Sequence, residues 1–88
     1  MPDFTARIER FEGPGGWHYV VVPEPLIPEH AGAFGRTPVT LTLGAYTGAT
    51  SVWRDPERGA VLPLSKKARG RLVEGDLVEL GFELDLGR

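Results

Sequence analysis

The stretch that decides the fold is residues 77–86, Leu-Val-Glu-Leu-Gly-Phe-Glu-Leu-Asp-Leu. Every second residue from position 78 onward is apolar, and the residues between them are Glu, Gly, Glu and Asp. A period of two places alternate side chains on opposite faces of a β-strand. The pattern therefore predicts a long, half-buried strand, with these side chains in the core: Val78, Leu80, Phe82, Leu84 and Leu86.

Similar signals recur along the rest of the chain. Residues 4–9 and 39–43 also alternate, whereas residues 17–22 are β-branched and aromatic without alternation, which predicts a strand covered on both faces. Two further strand segments are residues 49–53 and 60–62. Glycine- and proline-rich turns at 13–16, 44–48 and 55–59 separate these segments. Such short intervals predict an all-β fold, a closed or split barrel of about six or more strands.

One or two short helices are expected among the strands. Leu64, Ala68 and Leu72 recur at a spacing of four and Ser65 is a suitable N-cap, so residues 65–72 are predicted to be helical. Gly70 weakens that helix by roughly 1 kcal/mol relative to Ala. The prolines between residues 23 and 28 allow at most a helical turn or two around residues 28–31.

Two parts of the chain share one plan. Pro23 and Pro63 each end an apolar strand, a short helix follows, and Gly35 and Gly75 each come before an alternating strand. The Pro-to-Pro and Gly-to-Gly spacings are both forty residues. We interpret this as a degenerate duplication of a strand, helix and strand unit.

Three segments carry a resemblance to a known family: Trp17 to Pro23, Gly35 to Val39, and Leu62-Pro63-Leu64 through Lys67-Ala68-Arg69 to Gly75-Asp76. Together they resemble a small bacterial and archaeal family called domain of unknown function nineteen-oh-five. The resemblance implies a double-split β-barrel, similar to the swapped-hairpin, AbrB-like barrels of transition-state regulators and some antitoxins. Those regulators dimerise through a half-barrel that looks like the Pro63, helix and Gly75-Asp76 segment. The duplication would let one chain supply both halves.

The resemblance implies a fold rather than an activity, because the family's molecular activity is unassigned. Members also occur fused to a domain associated with bacteriocin protection. Residues 70–74, Gly-Arg-Leu-Val-Glu, depart from the family's more regular helix end, which puts the length of the helix in question.

Length and composition limit the possible functions. The 88 residues allow one core, so residues 1–88 are expected to form a single domain. No cysteine is present, which excludes disulfides and thiolate chemistry and makes a reducing cytoplasm the natural setting. No apolar run approaches the roughly 20 residues of a membrane helix, and no signal peptide is expected. The formal charge of −2 makes nucleic acid a less expected partner.

No catalytic or metal-binding pattern stands out. His18 and His30, the two histidines, lack metal-ligand spacing and are expected to be structural or solvated. Ser51, His30 and Asp55 can be drawn as a triad, but no Gly-x-Ser-x-Gly elbow surrounds the serine. The glycines at 13–16 precede a strand and lack the Gly-Lys-Ser/Thr of a phosphate loop. We therefore expect no enzyme, no metal and no cofactor.

Two surfaces are candidates for binding. Trp17 and Trp53 are expected either to line a ligand or partner groove or to pack at the rim of the core. The second candidate is a basic patch on the predicted helix, where residues 67 and 71 fall one turn apart on an exposed stripe; it is either an anion or nucleic-acid contact or a solvated helix face. Its members are Lys66, Lys67, Arg69 and Arg71.

The resulting functional hypothesis is a non-catalytic binding or interaction module. Its ligand is unknown, a protein partner or small ligand being possible, and it is expected to act as a monomer or homodimer without contacting a membrane. The alternative is a DNA-binding transcriptional regulator or antitoxin-like protein of the swapped-hairpin barrel type.

Overall fold

The computed structural model describes residues 3–12, 16–28 and 35–85. These residues form a short α-helix, α1 (Lys66–Arg69), one 3-10 turn (Glu24–Leu26) and seven strands. The strands are β1 (Asp3–Arg7), β2 (Glu9–Arg10), β3 (His18–Val21), β4 (Arg36–Leu43), β5 (Tyr46–Asp55), β6 (Gly59–Leu64) and β7 (Leu77–Leu84).

The seven strands form one antiparallel sheet in the order β1-β7-β4-β5-β6-β3-β2. Its two outer strands, β1 and β2, are successive parts of one segment that bends at Ile8. Since β1 pairs with β7 and β2 pairs with β3, this segment brings the two edges of the sheet together. The sheet is therefore a nearly closed barrel, which confirms the predicted all-β fold with a short helix.

The bend at Ile8 is held by the turn that precedes β7. The Ile8 amide donates to the Asp76 carbonyl at 2.8 Å, and the Gly75 amide donates to the Ile8 carbonyl at 2.8 Å. The Val73 amide donates to Asp76 Oδ2 at 2.9 Å, and Gly75 has a φ of 97°. Gly75 and Asp76 of the proposed family motif thus join the two edges of the barrel.

The two prolines of that motif have different places. The Pro23 carbonyl accepts the Leu26 amide at 2.9 Å and so begins the 3-10 turn. Pro63 lies inside β6, although the sequence predicted that the strand would end before it. The Val22 amide donates to the Ala60 carbonyl, so the alternate residues of β6 that face β3 are 60, 62 and 64. The nitrogen of Pro63 faces away from β3, and no hydrogen bond to β3 is lost there.

The interior of the barrel is apolar and receives side chains from most of the strands. The alternating residues of β4 are buried as predicted, and so are Phe4 and Ile8 at the start of the chain. The rings of Phe4 and Phe82 meet edge to face with centroids 6.3 Å apart. Tyr19 and Val61 are also buried, but they do not belong to this apolar interior. The strand β3 is therefore covered on both faces, as predicted.

The prediction for residues 77–86 is confirmed for three positions and wrong for Leu84. Val78, Leu80 and Phe82 are buried, but the Leu84 side chain is 51% exposed. The described ladder between β1 and β7 reaches Asp3↔Gly81, and Leu84 lies three residues beyond this pair. Among the described residues, Leu84 pairs with Val39 of β4. Leu86 lies outside the described residues.

The connections are shorter than the sequence predicted. The turn between β4 and β5 is Gly44-Ala45 alone, because residues 46–48 belong to β5. Helix α1 begins after Ser65, whose hydroxyl accepts the Ala68 amide at 3.1 Å as predicted, but it ends at Gly70, where φ is 61°. A helix through residue 72 is therefore wrong.

Two predicted connections fall on or beside residues that the structure leaves out. The hairpin at 13–16 is flanked by the paired strands β2 and β3, and the Phe11 amide donates to the Trp17 carbonyl at 3.1 Å, but residues 13–15 lie outside the described residues. Of the helical turn expected around 28–31, residues 29–31 also lie outside them, and the described helical turn comes earlier, at Glu24–Leu26.

Candidate functional site

The barrel has a split between β5 and β6. The ladder between these strands covers only Asp55↔Gly59 to Trp53↔Val61. Beyond Val61, β6 continues beside β3 as far as His18↔Leu64, while β5 continues beside β4 to the turn at residue 44. The two strands therefore separate, and helix α1 follows directly at the end of β6.

A cavity of about 370 Å³ fills this split. Its lining comes from β3, β4, β5, β6 and α1: Trp17, His18, Leu41, Tyr46, Ala49, Thr50, Trp53, Pro63, Leu64, Ser65 and Ala68. Neighbouring residues such as Ala49 and Thr50 both contribute, although successive side chains of a strand point to opposite faces. A gap between two strands explains this, because it is open to both faces of the sheet. The volume is near the lower end of the about 300–1,000 Å³ of ligand pockets.

The two tryptophans lie on the same cavity. Trp53 comes from β5 and is half-buried, with the Arg36 guanidinium 5.9 Å from its ring centroid. Trp17 precedes β3 and is 44% exposed. The structure thus brings together the two residues that the sequence singled out as a possible ligand or partner surface. Their role in binding remains a prediction.

Trp17 packs against Phe11 and Tyr19, and the three rings form an aromatic cluster. The Phe11 ring centroid lies 4.6 Å from that of Trp17 and 4.3 Å from that of Tyr19. Arg58 covers Phe11 at 5.0 Å and its Nε donates to the Tyr19 hydroxyl at 2.8 Å. Asp55 fixes Arg58 through a 3.4 Å ion pair. Because of this backing, the Trp17 ring is held at the cavity although much of it is exposed.

Tyr46 forms another wall, and Gly48 makes its position possible. The two residues lie on the same face of β5, two positions apart. A Cβ built at Gly48 would lie only 2.6 Å from Tyr46 Cζ, so the tyrosine ring covers the space that a side chain at residue 48 would need. Sequence reasoning missed both residues, although an aromatic residue two positions before a glycine within a strand is a usable signal for such packing.

His18 contributes an imidazole to the cavity. Partial burial lowers its pKa below the ordinary value, and the positive charges of Arg69 and Arg10 lower it further, whereas Glu74 acts in the opposite direction. The side chain is therefore neutral at neutral pH. Among the described residues, no Asp, Glu, Lys or Arg lines the cavity, so this part of the lining carries no formal charge at that pH. The sequence predicted a structural or solvated His18 and did not predict that its side chain lies on a cavity.

The basic residues near α1 do not form the predicted stripe. Lys66, Lys67 and Arg71 are exposed, but Arg71 lies beyond Gly70 and outside the helix, so Lys67 and Arg71 do not share a helical face. Arg69 is half-buried and its Nη1 donates to the Leu72 carbonyl at 3.0 Å. The predicted helical stripe of Lys67 and Arg71 is therefore wrong, because the helix is a single turn. A role of the four basic residues in binding an anion or nucleic acid remains a prediction.

The remaining candidate chemistry is dispersed. Asp55 caps the turn after β5 by accepting the amides of Glu57 and Arg58 at 2.9 and 2.8 Å, which lowers the pKa of its carboxyl group. Ser51 is buried in β5, and His30 lies outside the described residues. Within residues 3–12, 16–28 and 35–85, no three His, Asp or Glu side chains are grouped so that they could hold a metal ion.

These features define a small antiparallel β-barrel with an uncharged, aromatic-walled cleft in its side. The family described as Domain of unknown function (DUF1905) matches residues 4–81, a range that includes all the described residues of the cleft. The chain belongs to this family, as the sequence resemblance predicted. No curated protein and no solved structure matches the chain. In the part of the chain that the structure describes, no helix is long and apolar enough to span a membrane.

Proposed function

We propose that this domain is a non-catalytic binding module whose ligand inserts an uncharged, flat apolar group into the cleft between β5 and β6. The observation that carries the proposal is the pair Trp17 and Trp53, which line one cavity from the start of β3 and from β5. Aromatic side chains attract flat apolar groups through both apolar burial and ring packing, which adds about 0.5–1.5 kcal/mol per ring pair.

The polar groups of the cavity are suited to orienting a bound ligand by hydrogen bonds rather than to catalysing a reaction. The Tyr46, Thr50 and Ser65 residues supply hydroxyl groups, and His18 supplies a neutral imidazole. The Ser65 hydroxyl is already engaged as the helix cap. A few hydrogen-bonding groups in a mostly apolar lining are typical of sites that recognise a ligand and fix its orientation.

The test is a calorimetric titration with p-cresol and 3-methylindole, which carry the ring systems of tyrosine and tryptophan. We expect saturable binding to the unaltered chain and about tenfold weaker binding to Trp53→Ala and to Trp17→Ala, each of which loses one ring contact. Circular dichroism and thermal unfolding of each variant show whether the barrel persists.

Leu77→Ala is the matched control, because Leu77 is an exposed apolar residue outside the cavity. This variant should bind both probes as the unaltered chain does. Equal weakening by Leu77→Ala would mean that the probes bind to general apolar surface, and unchanged binding by both tryptophan variants would contradict the proposal.

For the fold type, we infer a double-split barrel built from two related units, of the kind seen in swapped-hairpin regulators. The register of β3 and β6 pairs Val21 with Val61, forty residues later. In the register of β4 and β7, the successive pairs Leu41↔Phe82 and Thr42↔Gly81 are separated by 41 and 39 residues, which average forty. A twofold relation between units offset by forty residues would pair each strand with its own equivalent in this way. Both registers therefore support the duplication suggested by the sequence.

A further inference from the structure

The edge of β5 that faces the cleft is determined by its pairing with β4. The Asp85 amide donates to the Pro38 carbonyl at 3.0 Å, so the β4 backbone faces β7 at Pro38. Backbone groups alternate in direction along a strand, and Leu41 therefore faces β5, where its partner is Gly48. The β5 residues on either side of Gly48 consequently direct their N–H and C=O groups to the opposite edge, toward the split.

These two residues, Thr47 and Ala49, have an open backbone edge. Both are exposed, and the ladder with β6 has ended at Trp53↔Val61, before it reaches them. Within the described part of the chain, no backbone or side-chain hydrogen bond is made to the edge groups of either residue. An exposed strand edge of this kind is a template on which an extended peptide adds as a further strand.

The cavity lies where such a peptide would direct alternate side chains. In a strand added beside β5, residues opposite Gly48 and Thr50 lie on the same face as those two residues. That face carries Leu41 and Tyr46, which line the cavity. Two side chains of the peptide, separated by one residue, would therefore enter the cavity, and the residue between them would point outward.

Three basic residues neighbour lining residues of the cleft, in space or along the chain. Arg36 lies over Trp53, and Lys66 and Lys67 follow the cavity residue Ser65. None of these three cations has an ion-pair partner among residues 3–12, 16–28 and 35–85. Acidic residues in the outward positions of a bound peptide would complement them, whereas basic residues would be repelled.

We propose that the Thr47–Ala49 edge of β5 binds an extended segment of a partner protein by strand addition. The segment has apolar side chains at two alternate positions, which occupy the cavity, and acidic residues beside them. This inference rests on the proposed function, since it identifies the apolar group of the ligand as a peptide side chain. The edge groups of Ala49 supply hydrogen bonds, and the cavity residues Leu41 and Tyr46, on the face of Gly48 and Thr50, supply selectivity.

The test uses an array of blocked pentapeptides with Phe, Tyr, Trp, Leu or Met at the second and fourth positions and Asp, Ser or Lys at the others. We expect the acidic members to bind more tightly than their lysine counterparts. The best binder is then synthesised in two N-methylated forms, one methylated at the second and fourth residues and the other at the first, third and fifth. If the segment is antiparallel to β5, the form methylated at the first, third and fifth residues blocks pairing with Thr47 and Ala49 and should bind at least tenfold more weakly, while the other form should bind nearly unchanged. If the segment is parallel, the two forms exchange these roles.

The same titration is followed by amide hydrogen exchange at Ala49, which should slow on peptide binding. Ala49→Pro removes this donor, and Ala49→Ser is the matched control that keeps it. Because both variants alter a residue that lines the cavity, each is compared with the other: proline should weaken peptide binding at least tenfold relative to serine. The N-methyl pair leaves the protein unaltered, so the test stands even where the proline variant does not fold.

Three outcomes overturn the inference. It fails if no peptide of the array binds, if the two N-methylated forms bind equally, or if the Ala49 amide remains unprotected at saturation. When p-cresol and 3-methylindole still bind through Trp17 and Trp53 in these cases, the proposed function stands and strand addition alone is rejected. When those probes fail as well, the proposed function is rejected with it.

Discussion

Replacing Gly48 with alanine should damage the cleft without damaging the barrel. The added Cβ would lie 2.6 Å from Tyr46 Cζ, well inside the about 3.5–4.0 Å at which carbon atoms pack. The ring must therefore move by about 1 Å. Because the clash is with the far end of a flexible side chain, Tyr46 can turn away, and the full cost of about 1–3 kcal/mol for an overpacked core does not arise.

The free energy of unfolding of Gly48→Ala should accordingly stay within about 1 kcal/mol of the unaltered chain, since losing a flexible glycine offsets part of the cost by about 0.4–1 kcal/mol. Affinity for p-cresol should fall at least tenfold, because the displaced ring no longer forms the cavity wall. Urea unfolding and calorimetry measure the two quantities. In a Tyr46→Ala background the same substitution should have no further effect on affinity. Unchanged affinity in Gly48→Ala alone would refute this account of the wall.

Four other changes test separate parts of the structure. Phe82→Ala removes a buried ring and should lower the free energy of unfolding in urea by about 3–5 kcal/mol. A decrease of less than about 1 kcal/mol would place the ring outside the core. Gly75→Ala has open space but a φ of 97°, so thermal unfolding should show only backbone strain of about 1–2 kcal/mol. The pKa of His18 is lowered, so its charged form is disfavoured in the cleft. The affinity for p-cresol, measured by calorimetry, should therefore be constant above a pH of about 6.5 and fall below it. His18→Gln should abolish this pH dependence. Electrophoretic mobility shifts should show no specific duplex binding tighter than micromolar at physiological salt, and a defined footprint lost in a Lys67→Ala, Arg71→Ala double variant would contradict this.

Local patterns in the sequence predicted most of the strands, because each strand buries one face and side chains alternate along it. Phe4, Val39 and Phe82 are buried as their alternation indicates. The same rule is wrong at Leu84, since alternation continues beyond Gly81, where the described pairing of β7 with β1 stops. A sequence period shows which face a residue lies on, but it does not show whether another strand covers that face.

The split that makes the candidate site could not be predicted in this way. It depends on where the ladder between β5 and β6 ends, and this end lies between Val61 and Pro63. The proline was interpreted as the end of a strand, although β6 continues through it because its nitrogen points away from β3. The tryptophans were identified as aromatic residues of uncertain exposure, and only the separation of the strands puts Trp17 and Trp53 on one cavity.

The most direct measurement of the central claim uses the two indole N–H groups, since the chain has two tryptophans. In proton–nitrogen correlation spectra of nitrogen-labelled protein, each indole gives a signal that Trp17→Phe and Trp53→Phe assign. Titration with p-cresol should shift both signals along one saturation curve, together with the amides of Ala49 and Ser65 at the cleft. If the probe saturates while both indole signals remain fixed, or if the shifts concentrate at the exposed residues Leu77 and Leu84, the cleft between β5 and β6 is not the binding site.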